Sequence, residues 1–169
     1  MSGLCEISGL LYIRFTSYDI LKTFLGWILS RRVECVTQLS LVRAWIFGAR
    51  YSIAPFQNNV MRRLVDILRS NPVDPSAVRE AYYDMACIPP QPIQAKEVLK
   101  LLRQALVTQI AYQTSKRSEH TLDKDNFEKS RLMAVAEFQE DLTHAVCIGS
   151  YDEDPDIPGV QLDKHLVEE

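Results

Sequence analysis

The stretch that most constrains this 169-residue chain is PFQNNVMRRLVDIL, which begins at Pro55. Phe56, Val60, Leu64 and Leu68 recur at intervals of four, Met61 and Val65 lie beside them, and Arg62, Arg63, Asp66 and Arg69 fall on the other side. One apolar face at helical period specifies an amphipathic helix packed against a partner element. Pro55 suits the first turn of that helix, where its missing N–H costs nothing. Upstream, Thr37 can cap a helix running to about Phe47, and Gly48 offers the left-handed conformation that commonly ends one. The connector that follows has a length suited to antiparallel neighbours.

The flanks read as more helix. LLYIRF, from Leu10 to Phe15, has the content of one short strand. Ser17 can cap a helix that carries Ile20, Leu21, Phe24, Leu25, Trp27 and Ile28; its apolar residues cover much of the circumference, which predicts packing on more than one side. Asp74-Pro75 opens a further helix to about Met85. IPPQP at 88–92 cannot continue a regular element and marks the expected domain boundary. A long helix starting near Ile93 follows, then the polar loop QTSKRSEHTLDKD. A helix capped by Asp125 and Glu128 runs through Leu132, Val135, Phe138, Leu142 and Val146 towards Gly149. These last two helices suit a hairpin, and the acidic, proline-containing segment from Tyr151 onward reads as a mobile tail. The expected fold is therefore mainly α: a helical region over 1–90, a helical extension over 91–150 and a tail over 151–169, with at most one short N-terminal strand.

The composition argues against several function classes. The net charge of −3 gives no electrostatic reason to hold a polyanion, so nucleic acid is not expected as a partner. Lys116-Arg117 and Arg31-Arg32 are short basic pairs of the kind that complement helix ends. No apolar run reaches the roughly 20 residues that span a bilayer, and the N-terminus lacks the basic start of a signal peptide, so no membrane association is expected and the expected compartment is cytoplasm or nucleus. Cys5, Cys35, Cys87 and Cys147 have no paired spacing and read as reduced, buried thiols.

No motif nominates a catalytic centre or a cofactor, and none is expected. GxSxG, Gly-rich phosphate loops and HExxH are all absent. Glu137, Asp141 and His144 share one helix face, but a carboxylate metal site needs ligands from several helices, so they read as a solvated face. Asp152, Asp154 and Asp156 alternate as in a calcium loop, yet Ile157 stands where the sharp turn needs glycine. Trp27, Trp45, Phe47, Tyr51 and Phe56 could line a pocket, but at helical spacing they read as core. A small all-α ligand-binding or catalytic domain, centred near Asp141 and His144, would require an enclosed pocket with convergent polar groups. A transcription-associated factor working through its arginines would show salt-dependent DNA binding.

With helix, glycine, connector and proline-started helix in order, residues 18–86 resemble the C-terminal helical half of a BTB/POZ domain, in the divergent form common in filamentous fungi. Phe24, Leu25, Trp27 and Ile28 resemble the aromatic helix that ends at a Trp-Leu-Tyr-Thr-Gly turn in that family, with Leu29, Ser30 and Arg31 replacing Tyr-Thr-Gly. Trp45, Phe47, Gly48, Tyr51, Pro55, Phe56 and Asn58 carry the match to the paired helices, and Val78, Tyr82 and Tyr83 to the helix that follows. The resemblance implies a non-enzymatic protein–protein interaction module, self-associating or acting as an adaptor. A cullin-type ubiquitin ligase contact would use a hydrophobic-x-Glu motif, and Arg32-Val33-Glu34 places arginine at its first position. The family's leading strands have no counterpart here, so the apolar surface around Phe24, Trp27 and Trp45 must be covered either by the helices of 93–147 or by association.

Overall fold

The computed structural model describes residues 6–7, 10–11, 17–35, 37–83, 93–116, 132, 135–148 and 166–167. The mainly α architecture expected from the sequence is the one observed: α1 (Tyr18–Ser30), α2 (Gln38–Arg50), α3 (Ala54–Ser70), α4 (Pro75–Tyr83), α5 (Ile93–Lys116) and α6 (Ala136–Ile148). Among the described residues a minimal β element accompanies them. Leu10–Leu11, the first two residues of the expected strand, pair antiparallel with Glu6–Ile7 in the register Glu6–Leu11 and Ile7–Leu10.

Local chemistry sets most helix starts. The Ser17 and Thr37 side chains accept from the Ile20 and Ser40 amides, and Asp74 Oδ1 accepts from both the amide and the hydroxyl of Ser76 at the start of α4. Pro55 sits in the first turn of α3, and Phe56, Val60, Met61, Leu64, Val65 and Leu68 are all fully buried on its inner face. The central element is α2, which packs against α1, α3, α4 and α5 and buries eight of its residues. One continuous hydrophobic cluster runs from Ile20 through Tyr82 to Leu99–Ile110, Leu132 and Phe138, so the 1–90 and 91–150 segments share a core. The proline-rich divider between them lies outside the described residues.

The structure corrects several expectations. Gly48 does not end its helix: α2 continues to Arg50, and Tyr51 caps it. Glycine is required there for proximity, because a Cβ would lie 2.6 Å from Gln57 Cγ and 3.1 Å from Phe56 Cδ1. Among the described non-glycine residues, the left-handed ones are instead Ser52 (φ 54°), in the connector, and Arg31 (φ 56°), which closes α1. The Arg31 amide donates to Trp27 O at 2.8 Å and its guanidinium lies 4.9 Å from the Trp27 ring centre, two contacts that offset the cost of that backbone state.

The last helix starts later than expected. Residues 125–131 lie outside the described residues, Leu132 is fully buried, and the Val135 amide donates to Leu132 O in a tight turn; α6 then begins at Ala136. The spacing of three between Leu132, Val135 and Phe138 therefore belongs to a turn leading into a helix. Cys35 is half-buried and Cys147 exposed, so these two are free thiols but not the buried ones expected. Cys5 and Cys87 lie outside the described residues, as do His120, His165, Asp152, Asp154 and Asp156.

Two irregular segments are held by side-chain amides. Buried Gln38 donates to Pro72 O and accepts from the Asp74 amide at 2.8 and 2.7 Å, while Gln109 donates to Leu68 O. Gln113 accepts from the Val73 amide and donates to Asn71 O. Three carboxamides from α2 and α5 thus bond the backbone of the α3–α4 connector, in which Val73 is buried while Asn71 and Pro72 remain exposed. The second segment is the tail, expected to be mobile. At Leu166 and Val167 it is not: both are half-buried against the core, and Asn58 of α3 bonds the Val167 backbone twice.

Candidate functional site

The residues singled out from the sequence are brought together as core. Phe24 lies 5.9 Å from Trp27, 5.3 Å from Phe47 and 5.2 Å from Phe56, and Phe47 lies 4.8 Å from Tyr51, with edge and tilted geometries throughout most of the group. These are the arrangements that ring quadrupoles favour. Trp45 is fully buried apart from them, Gly48 is buried beneath Phe56, and Pro55 is exposed. Both tryptophans are buried within the chain: Trp27 packs on Phe24 and Phe56, and Trp45 lies in α2, which α5 also contacts.

What the sequence did not separate is the other side of α1. Ile20, Phe24 and Trp27 face the core, but Tyr18 is 76% exposed, Leu25 47%, Ile28 46% and Leu29 86%. At 3.6 residues per turn, Tyr18, Leu25 and Leu29 stand opposite the buried face, with Ile28 and half-buried Leu21 along one edge. Packing on more than one side, expected from the circumference of apolar residues, is therefore not what the chain itself supplies. Tyr18, Leu21, Leu25 and Ile28 repeat with the three-four spacing of a helix–helix seam. Exposed Lys22 also lies on this outward side, whereas Arg31 turns back over the Trp27 ring and Asp19 faces the segment entering α2.

Beside this face an open cleft of about 310 Å³ lies between α1 and the segment entering α2, lined by Asp19, Lys22, Thr23, Glu34, Cys35 and Thr37, among others. Cys35 Sγ is 3.6 Å from Thr23 Oγ1. Ligand pockets are typically more enclosed and converge several polar groups on one point, and this cleft does neither.

The polar cluster on α6 is structural in its contacts. Tyr82 of α4 donates to Asp141 Oδ2 at 2.6 Å and meets the Phe138 ring edge-on at 5.4 Å. Arg103 of α5 donates to Glu137 Oε2 at 2.9 Å and to Ala81 O at 3.1 Å, and its guanidinium lies 4.4 Å from the Tyr82 ring centre. Glu137 and Asp141 therefore dock α6 onto α4 and α5, while exposed His144 makes no such contact among the described residues. Among the described residues no three His, Cys, Asp or Glu side chains converge as a metal site. A separate bidentate pair, Arg43 with Glu80 at 2.8 and 3.1 Å, ties α2 to α4.

Burial and the hydrogen bond to Asp141 hold the Tyr82 phenol well above its ordinary value. In the unfolded chain the phenol loses its proton near pH ~10 while the folded chain retains it, so this contribution is intact below that pH and lost as pH rises beyond it. Tyr82→Phe is expected to cost about 1–2 kcal/mol at neutral pH. Urea denaturation between pH 8 and 11 should show wild type losing stability more steeply than the variant above pH ~10; parallel curves would contradict the assignment.

No family model, curated protein or solved structure matches this chain. Among the described residues, no helix is long and apolar enough to cross a membrane.

Proposed function

We propose that the chain is a non-enzymatic protein–protein interaction module whose working form is a self-associated pair joined through the outward face of α1. The exposed seam of Tyr18, Leu25, Ile28 and Leu29, opposite a fully packed core face, carries this reading. A second copy is the occupant that this seam itself fits: in an antiparallel pair centred on Leu25, Leu21 of one copy stands opposite Leu29 of the other. An isologous contact of this kind repeats each favourable pairing twice.

The order of elements adds support. An aromatic helix closed at Arg31, a helical pair joined at Tyr51–Ile53 and a further helix carrying Val78 and Tyr82 follow the order that the BTB/POZ resemblance implies. The packed aromatic core and solvent-facing His144 favour an interaction module over the ligand-binding or catalytic alternative.

A seam of one 13-residue helix buries less than the ~1,200 Å² of a standard interface, so association is expected to be weak and concentration-dependent. Sedimentation velocity across a concentration series should show reversible dimers. Leu25→Glu with Leu29→Glu should remove them while leaving the helical circular dichroism and thermal midpoint nearly unchanged. A wild-type chain that stays monomeric to millimolar concentration would overturn the reading.

A further inference from the structure

The contact between Asn58 and Val167 has the form of a recognition site. Asn58 Nδ2 donates to Val167 O at 2.9 Å and Asn58 Oδ1 accepts from the Val167 amide at 2.7 Å, so one carboxamide takes both backbone groups of one residue. A residue presents its own N–H and C=O to the same side only when its backbone is extended. The receptor is prepared for that shape: Asn58 is 3% exposed and fixed on the inner side of α3, while Leu166 and Val167 lodge half-buried against the core beside it. The two partners are 109 residues apart in sequence.

Two hydrogen bonds and two half-buried aliphatic side chains make a weak contact by themselves. Tethering supplies the remainder, since a linked segment sees its site at an effective concentration on the order of millimolar. We propose that the Asn58 site is a receptor for an extended segment of a partner protein bearing an adjacent aliphatic pair, and that Leu166–Val167 is its competing ligand in cis. The partner's chemistry is given by the segment seated there: backbone recognition by the carboxamide and an adjacent pair of aliphatic side chains against the core. This inference uses neither α1 nor the self-association reading.

The test uses full-length chains and a fluorescein-labelled peptide of residues 161–169. Val167→Pro removes the amide that Asn58 recognises and so vacates the site without shortening the protein. Fluorescence anisotropy should show the Val167→Pro chain binding the peptide at least tenfold more tightly than wild type, whose own tail competes. Adding Asn58→Ala to that chain, or placing Val167→Pro in the peptide instead, should each weaken binding at least tenfold; the peptide change leaves the receptor's folding untouched. A Val167→Pro chain that stays helical but ignores the peptide at millimolar concentration overturns the proposal. So does one that unfolds, because the tail would then be a fixed part of the core. A wild-type dimer dispersed by the peptide and insensitive to Leu25→Glu would replace the partner protein with a second copy's tail.

Discussion

Replacing Trp45 by alanine is expected to lower unfolding stability by about 3–5 kcal/mol, the range for a large aromatic truncated where its surroundings cannot collapse. Trp45 has no solvent exposure, and it lies in the helix that packs against four others. Against a total of roughly 5–15 kcal/mol for a whole domain, that loss should lower the thermal midpoint by about 10–15 °C. Trp45→Phe should behave quite differently. The indole Nε1 is buried and has no hydrogen-bond partner, so phenylalanine loses ring volume but also removes a stranded donor whose desolvation costs about 1–3 kcal/mol. The two terms oppose, and the expected cost is below ~1.5 kcal/mol on that account. Denaturant titrations of both variants check this, and equal losses would mean that the indole N–H is satisfied in solution.

The second large effect concerns Gly48. A methyl group there should cost about 1–3 kcal/mol by overpacking, despite alanine's better helix propensity, because its nearest neighbour would be Gln57 Cγ at 2.6 Å. Gln57→Ala removes that neighbour, along with a buried side-chain nitrogen that has no partner. In a double-mutant cycle the pair should therefore couple favourably, with the double variant more stable than the sum of the single losses predicts. Bulkier Gly48→Val should be worse and only partly rescued, since Phe56 Cδ1 stands 3.1 Å away. Additive losses would mean that Phe56 Cδ1, 3.1 Å away, and not Gln57 limits the space at this position.

Gly48 also shows where sequence reading stops. A glycine between an apolar run and a proline-started helix looks like a helix terminator because that is the commonest local use of the residue. The actual reason is a neighbour that approaches from the next helix, and spacing cannot report it. The α3 face, by contrast, was legible because its pattern of four repeats the geometry of the helix itself, and Ser17, Thr37 and Asp74 were legible because a cap acts within three residues. Ile93 was found as a start because prolines before it leave little choice.

The same boundary divides the polar residues. Glu137, Asp141 and His144 were correctly placed on one side of a helix, yet the partners of the first two, Arg103 and Tyr82, come from other elements. Asn58 was noticed in the paired-helix pattern without any sign that it would hold Val167. The seam on α1 was present in the sequence as excess apolar circumference, but whether the chain would bury both sides or one depends on how many helices reach it. In the folded chain, the side with Leu25 and Leu29 is the one left open.

The carboxamides of Gln38, Gln109 and Gln113 give the α3–α4 connector a property that its irregular backbone conceals. Surface turns usually accept extra residues because their polar groups can turn to water. Here the amides of Val73 and Asp74 and the carbonyls of Leu68, Asn71 and Pro72 are all claimed by α2 and α5. Lengthening this turn, cutting it, or moving the chain ends to it would break several of those bonds at once. As an evolutionary or engineering joint, this turn resists change.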